Sequence, residues 1–77
     1  MKPYGIFPRR GGVKCYGIMD EAIKVQFYNN RTTYIYTYRN TGRSHVEEMK
    51  ILARIGRGLT GYIAKHRKIF TPKKIVK

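Results

Sequence analysis

The sequence is poor in acidic residues, cysteine and histidine, and it has no tryptophan. Its 77 residues include four Asp plus Glu, one Cys and two His. A single cysteine excludes an intramolecular disulfide framework, and the few histidines and carboxylates leave too few ligands for a tetrahedral zinc site. We therefore expect a chain that no covalent link, metal ion or other cofactor holds together.

Long hydrophobic runs are missing as well. No stretch approaches the about 20 apolar residues that a helix needs to cross a bilayer. The opening residues 1–5 also lack the apolar centre of a secretory signal. From these two absences we expect an intracellular protein, soluble in the cytoplasm, with no membrane among its partners.

Positive charge dominates what is present. Seventeen Lys plus Arg give a formal net charge of +13, while hydrophobic residues make up 42% of the chain. That hydrophobic content is too high for a disordered basic tail, so most of the chain should fold. At this length it forms one domain at most, with a small core. A surface with this charge repels itself unless anions neutralise it.

The middle of the chain has the alternating Tyr, Val, Ile, Phe and Thr content of β-strands. Strands are predicted at residues 13–18, 22–28 and 32–38. The first turn falls at residues 19–21. The second falls at Asn29-Asn30, because asparagine tolerates the left-handed conformation that hairpin turns need.

The length of the second turn decides which face of the sheet the tyrosines occupy, because successive side chains alternate. An even loop places Tyr34, Tyr36 and Tyr38 on the apolar face of the second strand, under a helix. A three-residue loop instead places Ile35 there and leaves the tyrosines on an open, basic face that can stack bases. We favour the even loop, because aromatic stripes more often belong to a core.

A helix is predicted to begin at Ser44, after residues 39–43. Ser44 and Glu47 have the spacing of a capping box, in which each side chain bonds to the backbone N–H of the other. Gly56 suits the left-handed residue that ends a helix. The residues expected to form its apolar stripe are Val46, Met49, Leu52, Ala53 and Ile55.

A second, two-turn helix is predicted from Leu59 to His66, where Leu59, Tyr62, Ile63 and His66 share one face. Residues 15–66 should therefore form a small α+β domain, in which two helices pack on one face of a three-stranded antiparallel sheet. Residues 1–14 and 67–77 are basic and lack a hydrophobic period, so we expect flexible arms. The second arm can also add a fourth strand.

The few reactive side chains all receive structural roles. Cys15 lies in a predicted strand, where a thiol commonly packs as a small hydrophobe, and no histidine is near it in sequence. We expect His45 to be solvated in the first turn of its helix and His66 to support the basic cluster at residues 65–68. The acidic residues fit a turn and a helix start, which leaves no carboxylate pair for acid–base catalysis. We expect a protein that is not an enzyme.

Basic residues are concentrated after Glu48, where nine Lys and Arg, Lys50 among them, occur without an acidic residue. Solvated helix faces usually mix both signs, so this bias indicates binding to a polyanion, most commonly nucleic acid. Arginine can also fork onto phosphates or stack on bases. The predicted contact residues are Arg9, Arg10, Arg31, Arg54, Arg57, Lys65, Arg67, Lys68, Lys73 and Lys74.

Two groups of residues carry a family resemblance. The first is the strand Ile23-Lys24-Val25-Gln26-Phe27 followed by Tyr34-Ile35-Tyr36, and the second is Gly56, Leu59, Thr60 and Ile63. From about Cys15 to His66 the chain resembles the KTSC domain, which occurs at the C-terminus of some lysyl-tRNA synthetases and in small bacterial and phage proteins. The chain departs from the family pattern at Arg54, at Tyr38-Arg39-Asn40 and at Thr60. The resemblance implies RNA binding.

Together these features predict a small, basic nucleic-acid-binding protein. RNA is favoured over duplex DNA, because no recognition helix with a base-reading face is evident while aromatic and Arg residues are abundant. A component of a ribonucleoprotein would have the same composition. The alternative is a protein-interaction module, such as a phage-encoded inhibitor or a virion component that docks on an acidic partner.

Overall fold

The computed structural model describes residues 1–5, 12–28 and 31–75, and the predicted Asn29-Asn30 turn lies outside them. The elements in chain order are β1 (Lys2–Pro3), β2 (Val13–Met19), β3 (Ala22–Phe27), β4 (Thr33–Thr37), α1 (Arg43–Ile55), α2 (Leu59–His66) and β5 (Lys73–Ile75). The α+β class with two helices is confirmed. Among the described residues, neither helix is long and apolar enough to cross a membrane.

The sheet is antiparallel, and its strands lie side by side in chain order. The prediction of three strands is wrong, because the described part of the sheet has five. Lys2–Pro3 pairs with β2 at one edge, and Lys73–Ile75 pairs with β4 at the other. Strands of two and three residues are too short to show the alternation on which the prediction depends. Segments expected to be arms therefore contribute the two outer strands.

Strands β3 and β4 pair in the register that an even loop requires. Val25 lies opposite Tyr34, and Ile23 lies opposite Tyr36. Tyr36 is only 3% exposed, and Tyr34 and Tyr38 are half-buried against the same core. The prediction that the tyrosines share the covered face is confirmed, and the open tyrosine platform is wrong.

Helix α1 begins one residue before Ser44, so the predicted capping box does not form. Gly42 is the N-cap, with φ at 108° and no side-chain cap bond. The Glu47 carboxylate accepts a hydrogen bond from the Tyr38 hydroxyl and lies 3.1 Å from Lys50 Nζ. These tertiary partners hold Glu47 away from the backbone at the helix start. The spacing of Ser44 and Glu47 therefore predicted a cap that the fold does not form.

The core lies between the two helices and one face of the sheet. Gly56 ends α1 in the left-handed conformation, with φ at 87°, as predicted. Ile55 does not join the core and is 61% exposed. It follows Val46 by about two and a half helical turns, which places it on the opposite side of α1. The largest fully buried side chains are Ile23, Met49, Leu59, Val25 and Val46.

Tyr4 ties the N-terminal segment to helix α2. The Leu59 N–H donates a hydrogen bond to the Tyr4 hydroxyl oxygen at 2.9 Å, and the Tyr4 N–H donates to the Lys14 carbonyl at 2.9 Å. The Tyr4 ring also packs edge-on against Tyr16. The N-cap of α2 is Gly58, which has no side chain to cap the helix, so the Tyr4 hydroxyl supplies the missing acceptor.

Candidate nucleic-acid interface

A groove of 520 Å³ lies between the sheet and helix α2. Strands β3 and β4 contribute Phe27, Tyr34 and Tyr36 to its lining, and the segment after α2 contributes Phe70. The opposite wall is formed by α2 and includes Thr60. The even register of β3 and β4 creates this groove, because it turns the tyrosines toward the helices instead of toward the uncovered face.

Edge-to-face contacts hold the aromatic rings of the groove in place. The Phe27 and Tyr34 ring centroids are 5.4 Å apart with an interplanar angle of 76°. The Tyr36 and Phe70 centroids are 5.7 Å apart at 68°. Such pairs stabilise the packing beyond simple burial, so the rings form a preorganised apolar lining.

Two cations border this aromatic lining. Lys74 Nζ lies 5.9 Å from the centroid of the Tyr34 ring, within the range of a cation–π contact. Arg67 follows the last residue of α2, and its exposed side chain lines the same groove. Aromatic rings beside a basic rim are what proteins use to stack unpaired bases while neutralising the phosphates.

The lining also carries hydroxyl groups. Those of Tyr34 and Tyr36 make no hydrogen bond within the described part of the chain, and Thr60 Oγ1 accepts the Val13 N–H at 3.1 Å. Among the described residues, every fully inaccessible side-chain oxygen or nitrogen has a hydrogen-bond partner. The Tyr36 hydroxyl must therefore reach the groove. Burial, and then the neighbouring Tyr34, raise the pKa of Tyr36 to about 12, so this hydroxyl keeps its proton.

The rings of His45, Tyr62 and His66 form a cluster that packs against Phe70. A hydrogen bond of 2.7 Å joins His45 Nδ1 to the Tyr62 hydroxyl, and His66 Nδ1 donates to the Tyr62 carbonyl at 3.2 Å. The His45 and His66 centroids are 4.9 Å apart, and His66 stacks on Phe70 at 5.6 Å. The expectation of a solvated His45 is wrong, because packing against α2 and Phe70 half-buries it.

The structure brings only some of the predicted contact residues together. Arg67 and Lys74 meet at the groove, whereas Lys73 lies on the uncovered face of the sheet because neighbours in a strand alternate. Arg54 borders a separate hollow of 480 Å³ near Lys2. The remaining described contact residues are exposed elsewhere on the molecule: Arg31, Arg57, Lys65 and Lys68. Arg9 and Arg10 lie outside the described residues.

Lys50 is a structural residue and not part of a polyanion surface, although it is one of the nine basic residues after Glu48. Its side chain is buried, with Nζ 2.8 Å from the Asp20 carbonyl oxygen. The ammonium also lies 5.6 Å from the centroid of the Tyr38 ring. These contacts leave Lys50 unavailable to a ligand.

Cys15 lies in β2, as predicted, and is half-buried. Its thiol donates a hydrogen bond to Gln26 Oε1 at 3.4 Å. Within residues 1–5, 12–28 and 31–75, no group of three His, Cys, Asp or Glu is placed to hold a metal ion. The Cys15 environment is therefore that of a small packed side chain.

Comparison with known proteins gives no significant match to a family model, a curated protein or a solved structure. The resemblance to the KTSC domain therefore stays a prediction. The groove was not visible in the sequence, because Phe27, Thr60 and Phe70 come from three separate segments. The available sequence signal was the parity of the tyrosines, which placed Tyr34 and Tyr36 on the covered face.

Proposed function

We propose that this protein binds single-stranded nucleic acid, with RNA favoured, and that it does so without catalysis. The observation that carries the proposal is the groove in which the half-buried Phe27 and Tyr34 rings lie beside Arg67 and Lys74. Unpaired bases stack on the rings, and the two cations contact the phosphates on either side.

The balance of charge supports the proposal. The chain has a net charge of +13, and the one ion pair within the described residues joins Lys50 to Glu47. The remaining described basic side chains, including those at the groove, are not neutralised by carboxylates. A cleft lined by charge of one sign focuses the field and attracts a polyanion.

The exposed side of helix α1 favours a single strand over duplex DNA. Glu48, Ile51 and Ile55 are exposed there. An acidic residue and two isoleucines are unsuited to reading base edges between negatively charged phosphate backbones. The groove, by contrast, admits only bases that are not stacked within a duplex. Unpaired RNA offers such bases in loops, bulges and ends.

Fluorescence anisotropy with a labelled single-stranded RNA of mixed sequence tests the proposal. Log affinity should fall linearly with log salt, by about −0.7 per phosphate contact, so the two groove cations give a slope of about −1.4. A flat response to salt contradicts phosphate binding. Single-stranded DNA and duplex RNA, measured in parallel, test the preference for unpaired RNA.

Two double variants with the same loss of charge locate the site. Arg67→Ala/Lys74→Ala should weaken binding at least tenfold, because both cations border the groove. Lys2→Ala/Arg54→Ala removes the same charge at the other hollow and should have a much smaller effect. Equal losses would contradict the groove as the site.

Polyglutamate separates the proposal from the protein-interaction alternative. As a competitor it offers negative charge without bases, so it should displace RNA only weakly. If polyglutamate binds as tightly as RNA, or if the purified protein carries no nucleic acid before a high-salt wash, the acidic protein partner is the better explanation.

A further inference from the structure

We propose that the groove reads the keto edge of an unpaired base, so that it prefers uracil or guanine over cytosine or adenine, with the Tyr36 hydroxyl as the central donor. This inference rests on the proposed function, because it concerns which bases enter a groove that binds a single strand. It assigns Tyr36 a specificity role in addition to its place in the core.

The starting observation is a hydroxyl without a protein partner on a side chain that is almost entirely buried. Tyr36 is 3% exposed, yet its hydroxyl makes no hydrogen bond to any described residue. Because every fully inaccessible side-chain oxygen or nitrogen of the described residues has a partner, this hydroxyl is open to the groove, where it is free to bond a ligand atom. Because the Tyr36 hydroxyl reaches the groove, a base edge entering there can supply that atom.

The other polar groups of the lining favour a ligand that accepts hydrogen bonds. Arg67 and Lys74 can only donate. The hydroxyls of Tyr34, Tyr36 and Thr60 can donate or accept. Thr60 Oγ1 already accepts from the Val13 N–H, and its proton is left to donate. Among its described lining residues the groove has no Asp or Glu that could accept from an amino group.

The four bases differ in the group that such a donor set would meet. Uracil and guanine present a keto oxygen, whereas cytosine and adenine present an amino group at the corresponding positions. An amino group cannot accept a hydrogen bond from Arg67 or Lys74, whereas a keto oxygen can, and a site built for such bonds discriminates against a ligand that cannot form them. The arrangement therefore discriminates by chemistry and not by size.

Stacking alone predicts a different order of preference. The larger purine rings offer more surface to Phe27 and Tyr34, so a groove that only stacks bases would bind adenine at least as well as uracil. A preference for uracil over adenine is thus a signature of hydrogen bonding to the base edge.

The test compares matched oligonucleotides in which a keto base replaces an amino base, and the adjacent ring nitrogen changes with it from an acceptor to an N–H donor. Oligouridine and oligocytidine exchange a keto oxygen for an amino group on a pyrimidine, and inosine substituted into oligoadenosine makes the same exchange on a purine. Binding is measured by anisotropy at one salt concentration. We expect the keto member of each pair to bind about fivefold to tenfold more tightly, as one or two hydrogen bonds give.

The variant Tyr36→Phe removes the hydroxyl and keeps the ring. It should reduce the preference to near equality by weakening the keto ligand alone. Tyr28→Phe is the matched control, since Tyr28 is exposed and lies outside the groove lining. If thermal melting shows that Tyr36→Phe does not fold, Tyr34→Phe tests the neighbouring hydroxyl at a half-buried position.

The outcomes separate this inference from the proposed function. If all four ligands bind equally with a normal salt dependence, the groove does not read base edges, while single-strand binding stands. A preference that survives the Tyr→Phe variants overturns the assignment in the same way. If no oligonucleotide binds, both proposals are wrong.

Discussion

Lys50 Nζ lies 2.8 Å from the carbonyl oxygen of Asp20, which is 30 residues away in the chain. The same ammonium lies 3.1 Å from the Glu47 carboxylate, which in turn accepts from the Tyr38 hydroxyl. One cation thus fastens helix α1 both to the turn between β2 and β3 and to the residue after β4. Its burial makes this a fixed link of the fold.

The variant Lys50→Met keeps the apolar stem and removes these contacts. We expect a loss of about 1–3 kcal/mol in unfolding free energy, because the Asp20 carbonyl loses its donor. The Glu47 carboxylate is partly solvated, which keeps the loss below that of a fully buried pair. Urea denaturation measures it. Lys68→Met is the exposed control, and equal midpoints for the two variants would contradict the structural role.

Ser44→Ala should leave stability nearly unchanged, since Ser44 is exposed and does not cap α1. Gly42→Ala should cost about 1–2 kcal/mol, because φ at 108° is unfavourable for a residue with a Cβ. Thermal unfolding of the pair distinguishes the two sites. A marked loss of stability in Ser44→Ala with none in Gly42→Ala would support the capping box and contradict Gly42 as the N-cap.

Tyr36→Ala should destabilise the protein by about 3–5 kcal/mol, because it empties a buried site beside Ile23 and Phe70. A small domain has little more stability than that in total, so the variant should be unfolded at moderate temperature. Tyr28→Ala is the exposed control. Circular dichroism melts measure both, and a folded Tyr36→Ala variant would place Tyr36 outside the core.

Stability should fall as the pH drops below about 6.5, through His66. Burial, followed by the nearby His45 and Lys65, lowers the pKa of His66. A pKa that is lower in the folded state means that the unfolded chain binds more protons, so the stabilisation is complete above the unfolded pKa and is lost as pH falls through the folded value. The urea midpoint should decline as the pH falls below about 6.5. His66→Gln should flatten that decline, and an unchanged slope would contradict the assignment.

Gly61→Ala should raise the unfolding free energy by about 0.5–1 kcal/mol. Gly61 lies within helix α2, and a Cβ at this position would meet nothing within 4 Å. The gain comes from the backbone freedom that glycine loses when the helix forms. Gly58→Ala is the informative contrast, because φ is 90° there and the new Cβ would lie 3.3 Å from Leu52. We expect that variant to be destabilised.

The features of the fold that the sequence predicts correctly are those that depend on local residue patterns. The alternation of β3 and β4 located these strands, and the two asparagines predicted an even loop that pairs Val25 with Tyr34 or Tyr36, of which the structure has Tyr34. Gly56 indicates the end of α1, because the residue that ends this helix adopts the left-handed conformation that glycine favours. Each of these features depends on residues close together in the chain.

The features that were missed depend on residues far apart in the chain. The sequence pattern groups Lys50 with the surface charges, because nothing in the sequence reveals that Lys50 Nζ lies close to the Asp20 carbonyl oxygen. The sequence also does not reveal that His45 bonds to Tyr62, because the two residues are 17 positions apart and lie on different helices. The candidate site also depends on residues from separate segments. Its cations Arg67 and Lys74 lie at one groove because β5 pairs with β4.

The outermost strands of the sheet also bear on how copies of this protein behave toward one another. Exposed strand edges are templates on which further chains can add, which is a common route to aggregation. Here one edge is only two residues long and includes Pro3, which has no N–H to donate, and the other carries Lys73 and Lys74. Proline and repelling lysines therefore oppose edge-to-edge pairing between the described sheet and that of a second copy.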